Sequence, residues 1–162
     1  MTETSESLRE AMRGWPSGVA VVTSIYNGRI HGMTVNSLTS VSLDPPLVTV
    51  TLANQTRTCD LVTASGVFAV TLLEAGQAHI SDIFSGKIPE ERDRFDGLET
   101  ETLVTGAPLL KGGRAYLDCQ VVQSITLPKS TLFLGEVKAA WGDLSRLPLL
   151  YLNREYRKVC YE

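Results

Sequence analysis

The residues between 34 and 42 carry the densest chemistry in this chain. Thr34, Asn36, Ser37, Thr39, Ser40 and Ser42 fall within nine positions of the run GMTVNSLTSVSLDPP. Short hydroxyl and amide side chains both donate and accept hydrogen bonds, so the run suits a groove for a heterocycle that needs several directed contacts. A half-exposed strand with hydroxyls on its wet face explains the same pattern. A second cluster is Asn54-Gln55-Thr56-Arg57-Thr58. Thr56 suits a helix N-cap, where first-turn amides, the helix dipole and the Arg57 charge favour an anion. A plain capped helix fits equally well.

The rest of the inventory excludes more than it offers. His31 and His79 are the two histidines, and Cys59, Cys119 and Cys160 are too far apart for a metal knuckle. The sequence therefore predicts no metal site, no disulfide scaffold and a reducing compartment. His31 reads as a strand-end surface residue and His79 as a helix-face residue. GxSxG, GxxxxGKS and GxGxxG are all absent, which argues against a nucleophile elbow, a P-loop and a Rossmann turn.

Strands dominate the elements that must position these residues. Residues 18–26 (GVAVVTSIY) read as a buried strand, and Asn27-Gly28 is the strongest short hairpin signal before a return strand over 29–35. Further strands are expected over 37–42, 47–52, 66–72, 115–125, 131–140 and 149–152. Pro45 and Pro46 separate two of them, since proline cannot donate to a ladder. Helices are expected over 56–64 and 75–84. Residues 85–113, which include Lys87, Glu90, Glu91, Arg94 and Asp96, read as one long polar connection. Residues 1–12 form a polar arm or the start of a helix.

The whole chain, 162 residues and 17.7 kDa, fits one domain. Its net charge of −3 lacks the basic balance of a nucleic-acid binder. No apolar run is long enough to span a membrane, and the acidic start resembles no targeting peptide. A soluble, cytoplasmic protein is expected. Many short strands with few helices point to a mainly β sandwich or closed barrel.

Several ordered motifs carry a resemblance. Trp15-Pro16-Ser17-Gly18-Val19 opens the series, with Trp where Phe is usual. His31-Gly32-Met33-Thr34-Val35-Asn36-Ser37 and Ser40-Val41-Ser42-Leu43-Asp44-Pro45-Pro46 follow. Arg94-Phe95-Asp96-Gly97, Gly106-Ala107-Pro108-Leu109-Leu110, Leu117-Asp118-Cys119, residues 131–137 and Pro148-Leu149-Leu150-Tyr151 come in the same order. Over most of its length the chain resembles the short-chain flavin reductases, which supply reduced flavin to two-component monooxygenases.

The resemblance implies an FMN-binding split β-barrel, a homodimer and a partner monooxygenase. It implies NAD(P)H-dependent reduction of FMN or FAD, with no catalytic side chain because the cofactors carry the reaction. Met33, Thr34, Val35, Asn36 and Ser37 would lie along the flavin, and Ser42, Leu43, Asp44 and Pro45 would bracket the polar edge of its ring. Asn54, Thr56, Arg57 and Thr58 would face the phosphate, while the stretch from Gln77 to Phe84, with His79 and Phe84 foremost, and Phe95 would help enclose the site. Lys129, Ser130 and Tyr151 would serve the nicotinamide nucleotide, NADH or NADPH. The family often carries Gly-Asp-His where this chain has Pro128-Lys129-Ser130. Three readings stand: Lys129 holds nucleotide phosphates, the chain is a flavin carrier with weak NAD(P)H use, or Lys129 is an exposed turn residue.

Overall fold

The computed structural model describes residues 2–87 and 92–160. Helix α1 spans Glu3–Arg13 and precedes strands β1 (Ser17–Gly18), β2 (Ala20–Tyr26), β3 (Arg29–Val35), β4 (Thr39–Leu43) and β5 (Pro46–Ala53). Helix α2 (Arg57–Ser65), β6 (Val67–Leu72) and α3 (Ala78–Phe84) follow. The remaining strands are β7 (Thr100–Glu101), β8 (Leu109–Leu110), β9 (Ala115–Thr126), β10 (Ser130–Gly142), β11 (Leu149–Leu152) and β12 (Glu155–Lys158).

Seven strands form one antiparallel sheet in the order β3-β2-β6-β9-β10-β5-β4. Asn27 and Gly28 sit at φ 49° and 75°, the left-handed pair that a two-residue hairpin requires. The sheet curls towards itself. Ser37, leaving β3, donates to the Thr51 carbonyl (3.0 Å) and accepts from the Thr51 amide (3.1 Å) on β5. One hydroxyl thus ties the β3 end of the strand order to β5, the neighbour of the edge strand β4 at the other end.

Strand β2 is buried on both faces, which explains its unbroken apolar run. Val22 joins Val50, Leu52, Val62, Phe68 and Phe133 in one core cluster. Val21 joins Leu73, Ile80, Phe84, Phe95 and Leu149 in a second. The first lies under α2. The second joins α3 to β11, which pairs with β1 and β12 in a small sheet. Val19 links the two sheets by donating to the Leu149 carbonyl (3.1 Å) while its own carbonyl accepts from the Leu73 amide (3.0 Å).

Three expectations need correction. Pro46 does not end a strand: the turn is Asp44-Pro45, and Pro46 opens β5 opposite Leu43, a first-strand position where the missing N–H costs little. Residues 85–113 are not one polar excursion. They contain the β7–β8 ladder, and Arg94, Phe95, Ala107, Leu109 and Leu110 are buried. Asp118 anchors this segment by accepting from the Val104 and Thr105 amides (2.6 and 2.7 Å). Glu90 and Glu91 lie outside the described residues. Finally, the charged end contains β12, paired to β11 through a second left-handed turn at Asn153 and Arg154.

Candidate functional site

The exit of β3 and helix α3 make one wall of a site. Gly32 permits their close approach: a Cβ there would lie 3.0 Å from Thr23 Cγ2 and 3.1 Å from the Phe84 ring. Phe84 meets Phe95 edge-on, with centroids 5.2 Å apart. Two residues along β3, Thr34 Oγ1 donates to the Ser81 carbonyl at 2.7 Å. The helix is thereby pinned to the strand at both a packing contact and a polar one.

Strand β12 adds a second wall. The Tyr156 hydroxyl donates to Asp82 Oδ1 (2.7 Å) and lies 2.9 Å from Ser81 Oγ. Lys87 Nζ donates to the same carboxylate oxygen at 2.6 Å. The Lys87 hydrogen bond, then that of Tyr156, holds Asp82 below the usual carboxylate range. Asp82 in turn raises the Lys87 pKa. Burial raises the Tyr156 phenol, so it remains a protonated donor at neutral pH.

Between these walls is a cavity of about 240 Å³, lined by Thr34, Val35, Asn36, Ser81, Tyr151 and Tyr156, among others, with Lys87 and Arg154. Tyr151 and Tyr156 lie with ring centroids 5.7 Å apart. The exposed Asn36 amide can donate and accept at once. This combination of aromatic wall, amide and two cations fits a planar heterocycle carrying or adjoining an anion. The donor set is compatible with a flavin.

The other predicted cluster is built differently. Thr56 caps α2, accepting from the Cys59 amide (3.3 Å) and donating to the Ala53 carbonyl (2.8 Å). Thr58 is fully buried and its hydroxyl is 2.8 Å from His31 Nδ1. His31 is therefore half-buried and partnered, not a surface strand end. Asn54 donates to the Leu127 carbonyl and accepts from Thr131 Oγ1, each at 2.8 Å, while its amide donates to the Lys129 carbonyl at 3.1 Å. These side chains brace the β9–β10 turn and the helix start. Arg57 instead borders a second cavity of about 760 Å³ with Arg29, His31, Asp60, Arg94 and Phe95.

The expected site residues thus separate. Thr34, Val35, Asn36 and Tyr151 meet at the smaller cavity; Arg57 and Phe95 meet at the larger. Met33 turns inward, its sulfur 3.8 Å from Thr56 Oγ1. Ser37 is spent on β5. Ser42 donates to the Pro45 carbonyl, and Leu43, Asp44 and Pro45 form an exposed hairpin tip. His79 is exposed on α3, while Phe84 is core. Lys129 is exposed in the β9–β10 turn and Ser130 opens β10 opposite Ala53. Ser81 and Asp82 fall within the 77–84 stretch expected to enclose the site, whereas Lys87, Arg154 and Tyr156 have no such expectation from the sequence. The spacing of Tyr151 and Tyr156 about Asn153-Arg154 was a usable signal, because a two-residue turn puts such tyrosines opposite each other.

The thiols offer no alternative chemistry in this region. Burial, then Asp118, pushes Cys119 up to about 12, and burial also raises Cys59. Both are poor thiolates at neutral pH.

The comparisons agree with this architecture. Residues 12–159 match the flavin reductase like domain family. The reductase component of FADH(2)-dependent resorcinol hydroxylase from Rhizobium is 36% identical, over 93% of this chain and 85% of the relative. A flavin reductase (NADPH) from Lentzea aerocolonigenes is 38% identical, over 94% and 89%. The solved NADH:FAD oxidoreductase of Streptomyces globisporus superposes with a TM-score of 0.91 at 34% identity, covering 99% of this chain and 96% of that one. The chain belongs to the flavin reductase like domain family.

Proposed function

We infer that this chain is an NAD(P)H-dependent flavin reductase, the reductase component of a two-component monooxygenase. The single observation that carries this reading is the cavity at the β3 exit, where Thr34, Asn36, Ser81, Tyr151 and Tyr156 converge with Lys87 and Arg154 in a chain matching the family over residues 12–159. Relatives named as NADH-dependent flavin reductases, from Rhodococcus and Pseudomonas fluorescens among others, support it.

FMN or FAD, when bound, would supply the redox chemistry as acceptor of a hydride from NADH or NADPH. The chain's own task is position and electrostatics. Asn36 would give directed hydrogen bonds to a flavin held in the cavity. Tyr151 and Tyr156 exclude water from one side. Lys87 and Arg154, which line the cavity, would favour negative charge on a flavin held there. Thr34, held by Ser81, fixes the strand that carries Asn36. The working form is a homodimer, supported by α1, which carries exposed Leu8 and Met12 and buries no residue within the chain. Cytoplasmic residence is supported by three unpaired cysteines.

The test follows FMN and FAD binding by flavin fluorescence, and NADH and NADPH oxidation by absorbance. Micromolar flavin binding with turnover is expected, and Asn36→Ala weakens flavin about tenfold with little change in stability. No flavin binding sinks the reading. Binding without nicotinamide oxidation favours a flavin carrier, the alternative suggested by Pro128-Lys129-Ser130.

A further inference from the structure

Arg94 is buried more deeply than its chemistry favours. It is 7% exposed, and arginine is rarely this buried without a specific use. Its guanidinium Nη1 donates to the Gly32 carbonyl at 3.0 Å, from 62 positions away in the chain. Gly32 lies in β3, an edge strand of the seven-stranded sheet. A single backbone carbonyl can be satisfied by water or a neutral donor at a smaller desolvation cost than a buried cation. What a guanidinium adds is a planar, rigid fork that fixes the group it holds.

The next residue reaches the same point through α3. The Phe95 ring meets Phe84 edge-on, and the Phe84 ring comes within 3.1 Å of where a Cβ on Gly32 would stand. The segment carrying Arg94 and Phe95 is itself fixed: the Phe95 amide donates to Asp93 Oδ1, and the Leu98 amide to the Phe95 carbonyl, each at 2.9 Å. Gly32 stands two residues before Thr34, which bonds to Ser81 on α3, and four before Asn36 at the smaller cavity. Arg94 itself borders the larger cavity, so its influence on Asn36 runs through the strand.

We propose that Arg94 is a positioning residue of the flavin site: by holding the Gly32 carbonyl it sets where Thr34 and Asn36 stand at the β3 exit. The proposal rests on the flavin reductase reading for the identity of the ligand. Positive charge alone does not define this role, because Arg57 and Arg92 border the same cavity. The bond to the strand is what sets Arg94 apart. Without that bond β3 keeps its full pairing with β2, so the fold persists while the strand exit loses a tie to the segment packed against α3.

The test compares the wild-type chain with Arg94→Met, which keeps an unbranched stem but removes every donor, and with Arg92→Gln, which removes an exposed charge from the same cavity. In Arg94→Met, FMN affinity is expected to fall about tenfold and the KM for FMN to rise by the same factor, with kcat changed less than about twofold. Arg92→Gln should bind FMN as the wild type does. Hydrogen exchange in the flavin-free protein locates the effect: the amides of residues 32–36 and of α3 should exchange about tenfold faster in Arg94→Met, while those of β9 and β10 keep their rates. Arg94→Ala adds a rescue. Free guanidinium at about 20 mM, far below the molar concentrations that unfold proteins, can enter from the larger cavity and should restore most of the lost affinity, whereas sodium chloride at equal strength should not. Unchanged FMN affinity in Arg94→Met, an equal loss in Arg92→Gln, or faster exchange throughout the sheet with no rescue overturns the proposal. Faster exchange confined to residues 32–36 and α3, in a chain whose wild type binds no flavin, would instead overturn the flavin reductase reading and leave Arg94 as the residue that positions the β3 exit.

Discussion

The two faces of β3 divide the work of this molecule. On one face Gly32 and Thr34 receive α3, and the strand exit at Asn36 opens on a cavity with Tyr151 and Tyr156. On the other, Met33 and Val35 enter the core beneath α2, and His31 is fixed by Thr58. Both faces are rich in hydroxyls, yet the groups are spent differently. Near α2 the Thr56, Thr58 and Asn54 side chains bond to protein partners. Near α3 the Asn36 amide is exposed at a cavity edge. A buried polar group must be satisfied within the fold, so polarity alone does not mark a site; what matters is whether the group still faces a space that a ligand can enter.

The most forceful way to break this division is Phe84→Ala. Phe84 is 1% exposed and holds α3 against Gly32 and Phe95. The truncation should cost about 3–5 kcal/mol of unfolding free energy, read by urea denaturation. Flavin affinity should fall with it, because Ser81 and Asp82 ride on the same helix. A variant that loses stability yet binds flavin normally would show that α3 is scaffold alone.

Thr58→Val probes the opposite face. It removes a fully buried hydroxyl and its 2.8 Å contact with His31 Nδ1, which should cost about 1–3 kcal/mol. Flavin affinity should change by less than about twofold, about 0.4 kcal/mol, since neither Thr58 nor His31 lines the smaller cavity. A larger loss of affinity would extend the site to α2 and to the cavity bordered by Arg57.

The same division explains what could be read without coordinates. The β2–β3 hairpin was legible because Asn27-Gly28 encodes its own backbone geometry. The Thr56 N-cap was equally local. The run from Thr34 to Ser42 was correctly singled out as polar, but sequence could not say that Ser37 bonds to Thr51, fourteen residues away, while Asn36 beside it stays exposed. The pleat turns adjacent residues to opposite faces, and which face is wet depends on elements far along the chain. Strand β12 has almost no signal in the sequence because Glu155, Arg157 and Lys158 are all exposed, leaving one half-buried Tyr156 as its apolar mark. That tyrosine reaches Asp82, 74 positions away, so the pairing is set by the small sheet and not by any local pattern.

The finest test of the comparison is the Tyr156-Asp82-Lys87 clamp, which belongs entirely to the α3 face. Tyr156→Phe removes one hydroxyl from a half-exposed network and should cost about 0.5–1.5 kcal/mol. Its pH dependence is more informative than its size. Asp82 has a lowered folded pKa, chiefly from the Lys87 hydrogen bond. Its contribution is therefore complete above the ordinary carboxylate pKa and is lost as pH falls through the lower folded value. Lys87 has a raised folded pKa owing to Asp82, so its contribution is complete below the ordinary lysine pKa and is lost as pH rises through the higher folded value. Tyr156 keeps its proton beyond the ordinary phenol pKa because burial disfavours the phenolate. All three leave the clamp intact between roughly pH 5 and 9. Flavin affinity should be flat across that window and weaken only where the pH falls below the ordinary carboxylate range, while Asp82→Asn should lower affinity throughout and remove the acid limb. A break in the wild-type profile between about pH 6 and 7 is the signature of an imidazole. If that break disappears in His31→Gln and persists in His79→Gln, control of the site moves across the strand, to His31 beside Thr58, and the two faces of β3 act as one.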